Sequence, residues 1–147
     1  MQPTWRRSSI PKPTRRSDCP ISFALDLFGD RWTLLVIRDL AFKGKNSFSD
    51  FLASDEGIAR NILADRLASL EAEGFIEKHS HPKDLRRSFY TLTERGLGLI
   101  PVLVEMILWS AREDPDTGAE ADFVREATED REALIGRLQQ GPHVAGR

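Results

Sequence analysis

Between residues 19 and 73, apolar side chains recur at helical spacing and are punctuated by glycine and short polar turns. Ile21, Ala24, Leu25 and Phe28 make the first stripe. Pro20 suits a first helical turn, Ser17 or Asp18 can cap it, and Gly29 ends it. A second helix is predicted from about Asp30, with Trp32, Leu35, Val36 and Leu40 on one side and Gly44 as its breaker. Ser47 reads as the N-cap of a short helix, Phe48 to Ala53, followed by a turn at Ser54 to Gly57. A longer helix is predicted over Ile58 to Glu73, with Leu63, Leu67 and Leu70 as its buried stripe and Gly74 as its stop. A short helix, a turn and a longer helix follow the order of a helix-turn-helix unit.

The period then changes. Phe75 to Lys78 and Ser88 to Leu92 read as two strands, and the loop His81 to Arg87 between them carries Lys83, Arg86 and Arg87. A helix-turn-helix followed by a basic-tipped hairpin is a winged helix. The fold class is therefore mainly α with a small β wing. Thr93 caps a long helix in which only Gly98, Pro101 and Glu105 interrupt the large apolar residues from Leu97 to Trp109. Pro101 should kink it about one turn upstream. A helix apolar around most of its circumference must be covered on more than one face, which points to a partner subunit. Leu25, Leu103, Ile107 and Leu108 are the candidate dimer contacts, so dimerisation through N- and C-terminal helices is expected. Glu113 to Gly118 is an acidic linker, Ala119 to Gln140 a charged helix, and the end from Gly141 should fray.

Charge sharpens this division. Residues 1–18 hold five basic side chains and one acidic, with Trp5 and Ile10 the only large apolar ones, and read as a flexible basic arm. Residues 113–132 hold nine acidic and two basic, so 113–147 read as an acidic helix and tail after a near-neutral domain at 19–112. A pI near 5.9 does not advertise nucleic-acid binding, which must come from local clusters of cations. One cysteine excludes an internal disulfide scaffold. The longest apolar stretch is shorter than the roughly 20 residues of a membrane span, so no membrane partner is expected. No signal-peptide pattern is visible, and the expected location is cytoplasmic, with the nucleoid.

The run from Cys19 to Trp109 resembles the HxlR-type winged helix-turn-helix family of bacterial transcriptional regulators, relatives of the MarR group. The matching pieces are Cys19-Pro20, Gly29-Asp30-Arg31-Trp32-Thr33-Leu34-Leu35, and Phe48-Ser49-Asp50-Phe51. Leu63-Ala64-Asp65-Arg66-Leu67, Gly74-Phe75-Ile76 and Tyr90-Thr91-Leu92-Thr93-Glu94-Arg95-Gly96, with Pro101 and Trp109, continue it in order. Two positions and one run depart from the family pattern. Ser47 stands where an arginine is common, Ala59 where a serine or threonine is usual, and Leu85-Arg86-Arg87-Ser88-Phe89-Tyr90 replaces a proline followed by valine, glutamate and tyrosine.

The resemblance implies a homodimeric, sequence-specific DNA-binding regulator on a pseudo-palindromic operator, with repression as the family's commoner habit. On a helical wheel Asn61, Ala64, Asp65 and Ala68 lie opposite the leucine stripe with Arg60 at one edge, so the small and polar residues can approach a groove floor. The candidate DNA contacts are Lys45, Ser47, Arg60, Asn61, Ala64, Asp65, Lys83, Arg86 and Arg87. The family implies a redox role for Cys19, for which packing at the dimer interface is the plain alternative. The apolar space between Leu25, Trp32 and the long helix could hold a small-molecule effector, of unspecified identity. His79 and His81 lack a third nearby ligand other than Asp84, so no metal is expected, nor any cofactor. No nucleophile–base pairing, P-loop or dinucleotide fingerprint points to an enzyme. A winged-helix protein-interaction module that docks through its acidic tail is the competing class.

Overall fold

The computed structural model describes residues 15–141, in which ten elements follow one another. They are α1 (Pro20–Phe28), α2 (Thr33–Phe42), α3 (Phe48–Leu52), α4 (Arg60–Ala72), β1 (Ile76–His81), β2 (Asp84–Leu92), α5 (Glu94–Leu97), α6 (Ile100–Glu113), α7 (Ala121–Glu129) and α8 (Arg131–Leu138). Trp5, Ile10 and most of the basic arm lie outside the described residues, as does the chain beyond Gly141.

Local chemistry sets the element ends, and several differ from the sequence expectation. Cys19 rather than Ser17 or Asp18 is the N-cap of α1, and the Ser17 hydroxyl accepts the Cys19 amide instead. The second helix starts at Thr33, not Asp30, because the Asp30 carboxylate takes the amides of Trp32 and Thr33 at 2.9 and 3.0 Å. Ser47 and Asp50 form a reciprocal capping box on α3. The helix expected from Ile58 begins at Arg60, and Gly74, with φ of 77°, gives the left-handed residue that follows it.

The wing is longer than expected and its turn tighter. Its two antiparallel strands pair Ile76 with Leu92, Lys78 with Tyr90 and Ser80 with Ser88, then slip so that His81 faces Asp84. Leu85, Arg86 and Arg87 are thereby carried outside the ladder as a bulge near the tip. The Asn46 carbonyl accepts the Tyr90 amide and ties the wing base to the start of α3. Gly96 packs so closely on the Phe75 backbone that a Cβ there would stand 2.2 Å from its carbonyl oxygen, so only glycine fits this joint.

The long helix is two helices. α5 closes at Gly98 and α6 opens at Ile100, with Pro101 in its first turn rather than at a kink inside a continuous helix. Proline has no amide to offer the Leu97 carbonyl four residues back, and the side chain of Gln139, the C-cap of α8, donates to that oxygen at 3.1 Å instead. The acidic helix expected over Ala119 to Gln140 is also two, because Asp130 leaves helical geometry and caps α8 with its side chain on the Ala133 amide. Both pack back on the rest. Ala127 and Leu134 are buried in the same core as Ile37, Leu40, Phe51, Leu63, Leu92 and Ile100, and Arg131 pairs with Glu105 of α6. No helix among the described residues is long and apolar enough to cross a membrane.

Candidate nucleic-acid interface

α4 is held from behind by Leu63, Leu67 and Leu70, all buried, and contacts α3 and β1. Arg60, Asn61, Ala64, Asp65 and Ala68 are all exposed, as the wheel predicts. With Ala59 as N-cap, no side chain caps α4, so its first amides remain open to a ligand. The Arg60 guanidinium lies 5.5 Å from the Phe48 ring centre, which steadies it at the helix start. Asp65 and Arg66 lie 3.7 Å apart, and Arg66 reaches Asp30 at 3.6 Å, which ties α4 to the start of α2. Burial works against the Asp30 charge, but hydrogen bonds from Thr33 and Trp32, together with Arg66, hold its carboxyl below the usual range.

A polar cluster fixes the turn that leads into α4. Arg38 of α2 donates to Glu56 at 2.8 and 2.9 Å and to Asp39 at 2.8 and 3.0 Å. Ser54 donates to the buried Asp39 carboxylate at 2.6 Å, and Lys45 donates to Ser54 at 3.0 Å. The Arg38 hydrogen bonds push the Glu56 carboxyl down to about 2. This cluster escaped the sequence reading, because nothing in the spacing of Arg38, Asp39, Ser54 and Glu56 marks them as neighbours.

The candidate contacts therefore fall into two sets. Lys45 and Ser47 already have partners, Lys45 on Ser54 and Ser47 in the capping box on the Asp50 amide at 3.2 Å. Arg60, Asn61, Ala64 and Asp65 on α4, and Lys83, Arg86 and Arg87 on the wing, stand in solvent. Arg86 rests 3.3 Å from Asp84, an exposed pairing that competes weakly with another anion. His79 bonds Thr91 at 2.8 Å and stacks on Phe89, and no group of metal-holding side chains occurs among the described residues.

The model of the HxlR-like helix-turn-helix family matches residues 27–116. The chain belongs to the HxlR-like helix-turn-helix family. This is a family of transcriptional regulators, not of enzymes, and the mostly helical fold with a two-stranded wing is its winged helix. An uncharacterised HTH-type transcriptional regulator of Synechocystis sp. is 38% identical over 88 residues, which are 60% of this chain and 64% of that one. The chain thus matches a little under two thirds of that relative's length. The crystal structure of PA1607 is similar at 35% identity and a TM-score of 0.62, over 71% of this chain and 72% of that one. The oxidised form of the redox regulator HypR is similar at 28% identity and a TM-score of 0.57, over 64% of this chain and 96% of that one.

The remaining expectations concern α6 and its surroundings. Leu103 and Leu108, at 6% and 9% exposure, are buried in the chain's own core, so they are not free for a partner. Met106 and Trp109, at 49% and 59%, form the exposed apolar edge of α6, and Ile21 and Leu25 do so on α1. Ile107 is half-buried. Cys19 is exposed. The crevice of about 10 Å³ beside Trp32 is lined by residues of α2, α3, α4 and the turn between α3 and α4, and it takes in neither Leu25 nor α6.

Proposed function

We propose that the chain is a sequence-specific DNA-binding transcriptional regulator that acts as a homodimer, with repression as its mode. One observation carries this: a buried-backed helix, α4, presents a small and polar face with an uncapped N-terminus, and the wing that follows it bears three exposed cations. Asn61 suits paired hydrogen bonds to adenine, Arg60 suits guanine or a phosphate, and Ala64 lets the helix sit close to the bases. Lys83, Arg86 and Arg87 suit phosphates or the minor groove. A second copy related by a two-fold axis, joined through Ile21, Leu25, Met106 and Trp109, would set two such helices roughly 34 Å apart on a pseudo-palindromic operator.

The test separates the two kinds of contact and is run on duplexes from the chain's own promoter and on random DNA. Removing Arg86 and Arg87 together (both to Ala) weakens binding to both and flattens the log–log salt slope by about 3–4 units per dimer. Asn61→Ala costs about 1–3 kcal/mol per contact on the operator with little change in slope. A protein-interaction module gives neither pattern, and the absence of any salt-sensitive preference for a duplex would refute the proposal.

Within this reading Cys19 is the oxidant-responsive residue, supported by its exposure and by the likeness to a redox regulator. Cys19→Ser keeps the DNA affinity of the reduced protein and loses any response to peroxide. Equal responses of both proteins would remove that role.

A further inference from the structure

Five large apolar side chains among the described residues are exposed, and four of them lie on α1 and α6. The fifth, Leu85, is the most exposed at 79% and stands alone near the tip of the wing. A single exposed leucine is ordinary on a protein surface. Its setting is not. The slip of register after Ser80 leaves Leu85, Arg86 and Arg87 in a bulge, a device that re-aims side chains. Local bonds hold this tip in shape. His81 Nδ1 accepts the Lys83 amide at 3.2 Å, and Asp84 accepts the Arg86 amide and Nε at 3.1 and 3.3 Å. Pro82 fixes the backbone between them. Lys83, Arg86 and Arg87 are exposed beside Leu85, and Asp84, the only acidic residue from His81 to Ser88, is engaged with Arg86. The Asn46 carbonyl joins the wing base to the start of α3, and β1 contacts α4, so the tip and the exposed face of α4 belong to one packed unit.

An apolar side chain among cations fits a partner that is anionic at its rim and apolar within. Duplex DNA is such a partner, since phosphates border a groove floored by stacked bases. We infer that Leu85 enters the minor groove beside the α4 site as a wedge between two adjacent base pairs and kinks the duplex there. Leucine is among the side chains that do this, and the cost of unstacking is offset by closer contact along the bent DNA. Pyrimidine–purine steps unstack most easily, so Leu85 adds a preference for such a step without a hydrogen bond to any base. This deepens the DNA-binding reading and rests on it. Leu85 lies in the run that departs from the family pattern, so the wedge is a property of this chain.

The probe is the duplex that the full-length wild-type protein enriches from a random pool. Its bend is read by energy transfer between dyes at its ends, and unstacking by a fluorescent adenine analogue placed in turn at each flanking step. Wild type bends the duplex by at least about 20° at each wing and brightens the analogue at one step per half-site. Leu85→Ala loses the brightening and most of the bend and weakens binding by about tenfold, with the salt slope unchanged because no charge is removed. Leu85→Met, another apolar wedge, restores both signals. Leu85→Lys distinguishes a wedge from a tip that rests on phosphates, because the added cation steepens the salt slope yet leaves the DNA straight. Straight, stacked DNA with wild type would overturn the inference and leave DNA binding intact. So would a bend and brightening kept by Leu85→Ala, the result expected if Leu85 meets another protein instead, or a full bend with Leu85→Lys. If no duplex is enriched in a salt-sensitive manner, the DNA-binding reading fails first and the wedge falls with it.

Discussion

Arg38 concentrates more of the local electrostatics than any exposed cation of the wing, since it bridges Asp39 and Glu56 at the turn before α4. Arg38→Ala leaves the buried Asp39 with only its Ser54 bond. Urea denaturation should show a loss of about 2–3 kcal/mol, somewhat below the cost for a wholly buried pair because Arg38 keeps some solvent contact. Glu56 adds a pH signature. Its folded value, about 2, lies below its ordinary 4.5, so its contribution is complete above 4.5 and fades as pH falls towards 2. Melting curves across that window should therefore show wild type losing its advantage over Glu56→Gln as acid is added. Equal curves for the two proteins at neutral pH would mean that the pair contributes nothing.

At the scale of elements, the helix-turn-helix was legible because its leucines repeat at a helical period and its stops are glycines, as at Gly74. The exposed face of α4 was legible for the same reason: fixing Leu63, Leu67 and Leu70 inward fixes Asn61 and Asp65 outward. What the pattern hid were breaks without a change of period. Gly98 and Pro101 separate α5 from α6 inside an apolar run, and Asp130 separates α7 from α8 inside a charged one. Lys45 and Ser47 show another limit, since a cation or a hydroxyl near a helix start looks the same in sequence whether it meets an internal partner, as here, or a phosphate. Asp130 offers a direct test. Asp130→Ala removes the cap on the Ala133 amide and should lower stability by about 1 kcal/mol in chemical denaturation, with the DNA affinity of the folded protein unchanged.

For the whole molecule, the difference between apolar and available decides where a partner fits. Trp109→Glu alters an exposed edge, so it should turn the proposed dimer into a folded monomer, with light scattering halving the mass while the helical circular dichroism stays. Leu108→Glu one residue earlier places an unpaired charge in the core of the chain and should cost more than about 3 kcal/mol, visible as loss of the folded signal itself. The sequence could not separate these two neighbours, because the apolar run gives no sign of which side α7 and α8 will cover.

The burial of Ala127 and Leu134 beside Ile37 also fixes an order of events during synthesis. Chains leave the ribosome from the N-terminus, and domains fold as their parts emerge. Here the wing and the helix-turn-helix are already outside while the seats for Ala127 and Leu134, and the Leu97 carbonyl awaiting Gln139, still lack their occupants. This core is completed only when α7 and α8 have emerged. A stop codon just before α7 would therefore release a product with every proposed DNA contact and an open apolar flank, a substrate for the cell's proteases before it is a regulator.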